Sequence, residues 1–138
     1  MNKKLAVIII RNSQEQLFVH QRSENKKPFP LLYGLGAGGK FEDGETPEQA
    51  ASRELEEELG LKNDIQFLFN FDFESNEATH TIYVFQMLYD EKIEIREEHK
   101  FQWSGWLTIS EVDQLAKDKK LCPDTEILYR RWKEEYIK

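Results

Sequence analysis

The sequence predicts an α+β protein, and three observations carry that expectation. Short apolar or alternating runs have the length of strands, Leu5 to Ile10 being the clearest. Three further segments read as helices, the most sharply bounded one opening at Thr46-Pro47 and closing at Gly60. With 138 residues, 39% of them hydrophobic and 12% aromatic, the chain closes one core and is too short for two ordinary domains, so a single domain over residues 1–138 is expected.

Taken in order, Leu5 to Ile10 is a buried strand, Asn12-Ser13-Gln14-Glu15 a turn, and Gln16 to Gln21 its hairpin partner. Ser23 to Leu32, with Pro28 and Pro30, is a loop, and from Gly39 the chain reads as a strand-turn-helix segment, Gly38 and Gly39 preceding the helix by a short turn that closes at Asp43-Gly44. Thr46 is then an N-cap, Pro47 fills the first helical position and Gln49 completes a capping box. After that helix, Ile65 to Phe73 and Thr79 to Tyr89 form two strands joined by a hairpin at Glu74-Ser75-Asn76-Glu77. Lys92 to Ile95 and Gln102 to Leu107 are shorter strands, and Ser110 to Lys119, with an N-cap signal at Ser110-Glu111, and Asp124 to Tyr136 are helices.

Chemistry concentrates on the first helix. At 3.6 residues per turn, Glu54, Glu57 and Glu58 fall at i, i+3 and i+4 and converge on one face, where they are expected to be exposed. Leu55, Leu59 and Ala51 occupy a neighbouring face and dock the helix on a core, while Glu56 points away. Like charges this close repel, so the cluster needs a counter-charge. Mg²⁺ and Mn²⁺ supply one, because they prefer oxygen ligands and keep positions open for substrate phosphates. Arg53 precedes Glu57 by one turn and reaches back towards Glu45, which suits it to orienting carboxylates. Paired glycines at 38 and 39 let backbone approach an ion or phosphate where a side chain would clash.

Gly39, five residues, Glu45, seven residues, then Arg53-Glu54-Leu55-Glu56-Glu57-Glu58-Leu59-Gly60-Leu61 resembles the Nudix box at every specified position. The resemblance implies a Nudix fold, a mixed β-sheet sandwiched between helices in an α/β/α arrangement. It also implies Mg²⁺-dependent hydrolysis, with Mn²⁺ able to substitute, of a nucleoside diphosphate linked to another moiety. Carried over by position, Glu54, Glu57 and Glu58 are the metal ligands, backbone at Gly38 and Gly39 completes the shell, and Glu45 and Arg53 are supports. Relatives often draw a base or extra ligand from a loop after the sheet, here Arg96 to Lys100, with Glu98 the first choice and Glu97 the second. The usual proline before the two glycines is Ala37 here, which resembles the isopentenyl-diphosphate-isomerase-like branch of the superfamily, as do Trp106 to Glu111 and Cys122 to Thr125. Those isomerases use a cysteine on a core strand. The single cysteine, Cys122, stands instead at the start of the last helix, and the region Ala78 to Leu88 offers Thr, His, Tyr and Val, so hydrolysis is favoured over isomerisation.

For the substrate, Arg22, Lys26, Lys27 and Lys40 are the cations on the box side, with Arg22 and Lys40 the leading choices. Tyr33, Phe71, Phe73 and Trp103 are candidates to stack on a base, and His20, His80 and His99 read as structural or solvent-facing. A formal charge of −7 without a countervailing Lys/Arg run argues against a nucleic-acid polymer as partner. One cysteine allows no internal disulfide, and the six-residue apolar run is too short to span a membrane, so a soluble cytoplasmic monomer or homodimer acting on a small diphosphate is expected. A silent nucleotide-binding sensor is the competing class. Such a module is expected to lose box carboxylates, and this chain retains them.

Overall fold

The computed structural model of the protein describes residues 2–74 and 79–137. Its strands are β1 (Asn2–Arg11), β2 (Gln16–Arg22), β3 (Tyr33–Leu35), β4 (Ala37–Lys40), β5 (Gln66–Glu74), β6 (Thr79–Leu88) and β7 (Phe101–Thr108). Its α-helices are α1 (Pro47–Leu59), α2 (Ile109–Lys117) and α3 (Pro123–Tyr136), and a 3₁₀ turn spans Glu98–Lys100.

All seven strands join one mixed sheet. The main path runs β3-β2-β1-β6-β5, with β4 added to β1 and β7 to β2. β1 and β6 pair in parallel from Asn2 opposite Thr79 to Arg11 opposite Leu88, and the other pairings are antiparallel. The continuous apolar run in β1 is explained by its position. Ala6, Ile8 and Ile10 face α1, whereas Leu5, Val7 and Ile9 face the layer of α2 and α3, so neither side of the strand meets water. The second layer is anchored by Leu128, Tyr129 and Trp132 of α3, all essentially inaccessible. Helices therefore cover both faces of a mixed sheet, the α/β/α sandwich expected of the sequence.

The β1–β2 turn is built by Asn12, whose Oδ1 accepts from the backbone of Gln14 at 3.0 Å and Gln16 at 2.9 Å, with Glu15 in the left-handed region at φ 60°. α1 has the expected bounds. The Thr46 hydroxyl accepts from Gln49 N, the Gln49 side chain accepts from Thr46 N, and Gly60 at φ 70° returns its N–H to Glu56 O. A box of this kind stabilises a helix by about 1 kcal/mol.

Four expectations need correction or completion. The segment Lys92 to Ile95 is not a strand: Ile93 and Ile95 pack on the α1 side of the core from a loop, so their alternation reports burial without a ladder partner. β3 lies just beyond the expected loop and has no counterpart among the expected strands, and β4 supplies the strand that precedes the turn into α1; Gly34, Gly38 and Gly39 carry no β signal of their own and owe their extended backbone to β2 and β1. α2 begins one residue earlier than expected, at Ile109, and ends at Lys117 instead of Lys119: Thr108 is its N-cap and Glu111 the reciprocal partner. The hairpin at Glu74 to Glu77 lies, beyond Glu74, outside the described residues, as does Ala78, although β5 and β6 do pair as the hairpin requires.

Candidate active site at the N-terminal half of the sheet

β4 and α1 meet at a crossing of backbone and carboxylates. Gly38 and Gly39 lie in the ladder opposite Val7 and Ala6, directly under the helix. Gly38 N–H donates to Glu58 Oε1 at 2.9 Å. At Gly39 a methyl group would stand 2.5 Å from the carboxyl carbon of Glu54, so that carboxylate fills the space a side chain would take. The glycine pair thus seats two of the three helix carboxylates on backbone.

Arg53 organises the rest. Its Nε and Nη2 donate to the two oxygens of Glu45 at 2.7 and 2.9 Å, its Nη1 to Glu54 at 2.9 Å and Glu57 at 3.2 Å, and its Nη2 also to the Lys40 carbonyl at 2.8 Å. Glu42 adds a contact at 3.3 Å. Hydrogen bonding to Arg53 holds the Glu45 carboxyl below its usual range, and the same bonds stabilise the guanidinium charge. The expectation that Arg53 reaches both Glu45 and Glu57 is met by these contacts.

The three helix carboxylates are not alike, and the expected common exposure is corrected. Glu57 is half exposed, whereas Glu54 and Glu58 are buried at 7% and 4%. The reason is that α1 packs its 54/58 edge onto the Gly38-Gly39 backbone of β4 and leaves 57 at the rim. Burial raises the Glu54 carboxyl against the lowering pull of Arg53. Burial raises Glu58 further, to about 8; the Gly38 amide and Lys100 oppose the shift and Glu54 reinforces it.

A cationic group faces Glu58 from the sheet side. Lys100 Nζ lies 3.1 Å from Glu97 and 3.9 Å from Glu58. Lys26 is pushed down by burial and by the neighbouring charges of Lys100 and Arg22. Arg22, opposite Phe101 at a register shift between β2 and β7, has a buried Nε without a hydrogen-bond partner among the described residues. Of the expected phosphate contacts, Lys26 is thus brought near Glu58, and Arg22 near Lys26. The Lys27 and Lys40 side chains remain exposed, and Lys40 serves the site through its carbonyl.

In the loop after the sheet, Glu97 sits beside Lys100 and influences the Glu58 carboxyl electrostatically, while Glu98 is exposed. The nearer carboxylate is therefore the second choice of the sequence. Lys100 had no assigned role; a lone lysine in a charged loop gives no sequence signal of the carboxylate it meets. Tyr33 and Trp103 make an edge-on pair with ring centres 6.1 Å apart, and Trp103 is exposed, whereas Phe71 and Phe73 pack on the α3 side of the core. His20 is structural as expected: its Nδ1 meets the Gly36 carbonyl at 2.9 Å and its ring lies 4.5 Å from that of Phe101. His99 is exposed. Cys122 is buried at the N-cap of α3, its thiol pushed up to about 12, which leaves it without the thiolate character that proton transfer at carbon requires.

Among the described residues, no three His, Cys, Asp or Glu side chains already enclose a point fit for an ion. Glu54 and Glu57 are turned to Arg53, and Glu58 to Gly38 and Lys100. The donor set nevertheless consists of carboxylate and carbonyl oxygens, the chemistry of a hard divalent cation. Among the described residues, no helix is long and apolar enough to cross a membrane.

A model of the NUDIX domain family matches residues 1–132. An 8-oxo-dGTP diphosphatase of Escherichia coli (strain K12) is 46% identical over 63 residues, which is 42% of this chain and 43% of that protein. An uncharacterized Nudix hydrolase of Streptomyces coelicolor is 30% identical over 124 residues, covering 88% of this chain and 68% of the relative. The DR0079 crystal structure from Deinococcus radiodurans superposes with a TM-score of 0.80 at 26% identity, over 94% of this chain and 82% of that one. The chain spans only 36–43% of the length of several curated relatives it matches.

Proposed function

Because the chain belongs to the Nudix family, we propose that it is a hydrolase of phosphoanhydride bonds in nucleotide derivatives, assisted by a divalent cation, Mg²⁺ or Mn²⁺. The observation that carries this reading is the seating of Glu54 and Glu58 on the Gly38-Gly39 backbone beside the half-exposed Glu57, with Arg53 tied to Glu45 behind them. Identity of 46% over 63 residues with an 8-oxo-dGTP diphosphatase supports a nucleotide as substrate.

Glu54, Glu57 and Glu58, with the Gly39 carbonyl, would hold the cation, which when bound neutralises phosphate charge and acidifies water. Arg53 holds Glu54 and Glu57 in place and is itself fixed by Glu45 and the Lys40 carbonyl. Arg22, Lys26 and Lys100 take the non-bridging oxygens of the diphosphate; the unpartnered Nε of Arg22 is the donor in search of an acceptor. Water attacks one phosphorus, the new P–O bond forms as the bridging P–O bond breaks, and the departing oxygen leaves as a phosphate. Glu97 receives the proton of the attacking water in preference to Glu98, since it faces Glu58 across Lys100. Cys122 takes no part, and the isomerase reading is set aside on its burial and unreactive thiol.

The test is phosphate and pyrophosphate release from nucleoside di- and triphosphates, ADP-sugars, dinucleoside polyphosphates and isoprenoid diphosphates, with and without Mg²⁺ or Mn²⁺ and with Glu57→Gln as blank. Metal-dependent release that the blank lacks is expected. Nucleotide binding without release would instead favour the silent sensor. Localisation in the cytoplasm and action as a monomer or homodimer belong to the same proposal.

A further inference from the structure

We infer that Arg96, in the loop before β7, binds a phosphate beyond the diphosphate held at Glu58, so that the site is built for a triphosphate or longer chain. The inference rests on the hydrolase reading above for its ligand class.

The backbone of Arg96 is fixed. Its N–H donates at 2.7 Å to the carbonyl of Glu58, one of the last-turn carbonyls of α1 that lack a partner within the helix. The side chain then crosses Gly60. A methyl group at Gly60 would stand 2.5 Å from its guanidinium carbon and 2.6 Å from Nη2, so Gly60 serves as a floor for the arginine as well as a left-handed cap. Beyond Gly60 the guanidinium borders an open cavity of about 510 Å³ together with Ser52, Arg53, Glu56 and Glu57.

Two cations border this cavity in different states. Arg53 is saturated by Glu45, Glu54, Glu57 and the Lys40 carbonyl. Arg96 has no ion pair or side-chain hydrogen bond among the described residues. A positive charge near a helix C-terminus is favourable in itself, and that alone would place an arginine here. An arginine serving only that purpose would turn its donors onto the open carbonyls, and this guanidinium makes no such bond. Its donors are left to an anion. In a chain of net charge −7, an arginine that borders the same cavity as Glu57 without a carboxylate partner among the described residues matters. Lys26 and Lys100 neighbour Glu58, and Arg96 borders the cavity that Glu57 also lines, so cations stand on both sides of the carboxylate pair. A diphosphate satisfies those beside Glu58. A third phosphoryl group, carried past Glu57, meets Arg96.

The test is calorimetric binding of inorganic tripolyphosphate and pyrophosphate, in Mg²⁺, to the wild type, Arg96→Gln, Arg96→Lys and Gly60→Ala. Arg96→Gln keeps the backbone anchor and is expected to lower the ratio of tripolyphosphate to pyrophosphate affinity about tenfold. Arg96→Lys restores part of the ratio as a point charge, and Gly60→Ala lowers it by displacing the guanidinium while leaving the charge in the chain. An unchanged ratio in Arg96→Gln overturns the assignment, as does a wild type that binds both anions equally. Loss of turnover as a general property of the wild type, with the Arg96-dependent ratio intact, would remove the hydrolase reading and leave this one standing.

Discussion

Arg53 and Glu45 are joined at two points, Nε to Oε2 at 2.7 Å and Nη2 to Oε1 at 2.9 Å, and this pair ties the loop before α1 to the middle of the helix. The geometry uses the planar fork of a guanidinium, which an ammonium lacks. Arg53→Lys is therefore expected to lower kcat/KM by roughly 10–100-fold, the usual consequence of losing a residue that orients ligands. The helix itself should persist, read by circular dichroism. Turnover equal to wild type would remove the positioning role.

Glu57→Gln and Glu58→Gln are both expected to abolish most activity, and they are expected to differ in stability. The Glu58 carboxyl is raised to about 8 by burial, so its protonated form is the one the metal-free fold favours. Its stabilising contribution is full below the ordinary carboxylate range and is lost as pH climbs through about 8. Glu58→Gln stays neutral throughout. In urea denaturation with chelator present, the variant should gain on wild type by a few kcal/mol, on the order of magnitude of such shifts, between pH 5 and 9. A difference that stays flat with pH would contradict the burial argument.

Gly39→Ala places a methyl group against the Glu54 carboxylate and should depress turnover more than tenfold, since displacements of even 1 Å at a reacting site are costly. Gly44→Ala offers a contrast. Nothing stands within 4 Å of its added methyl, but φ is 79°, so it should cost about 1 kcal/mol of stability and leave activity alone. Equal activity losses in the two variants would show that the Gly39 effect is only backbone strain.

The helix and its site were legible because their signals are local. Thr46, Pro47, Gln49 and Gly60 bound α1 by chemistry within one turn of each end, and the glutamate spacing follows from helical period alone. Burial was not legible: nothing in the sequence says that α1 presses residues 54 and 58 onto β4 while 57 stays at the rim. The different surroundings of Glu97 and Glu98 were not legible for a related reason, since adjacent carboxylates at the start of a 3₁₀ turn look alike in sequence while only Glu97 meets Lys100. β3 escaped because Gly34 is in a strand by pairing with β2 and not by propensity.

His20 provides a stability test away from the site. Burial pushes its pKa down to about 4, so the fold holds it neutral. That contribution is present above the unfolded value near 6.5 and is lost as pH falls towards 4. Wild type should therefore lose about 1–3 kcal/mol relative to His20→Gln between pH 7.5 and 4.5, measured by chemical denaturation. Parallel curves would place the imidazole in solvent.

The parallel ladder between β1 and β6 has a consequence for how the chain acquires its shape during synthesis. β1 is translated first, yet its longest ladder requires residues 79–88, and parallel pairing of such distant segments is slow. α1, with both ends capped locally, forms early. β4 has to wait for β1 to be held in place, and the Arg96 amide arrives later still. The carboxylates are thus set out on the helix before β4 is held against β1 and before Glu97 and Lys100 have been made, and a ribosome-bound chain has its acidic face ready while the pocket around it is still incomplete.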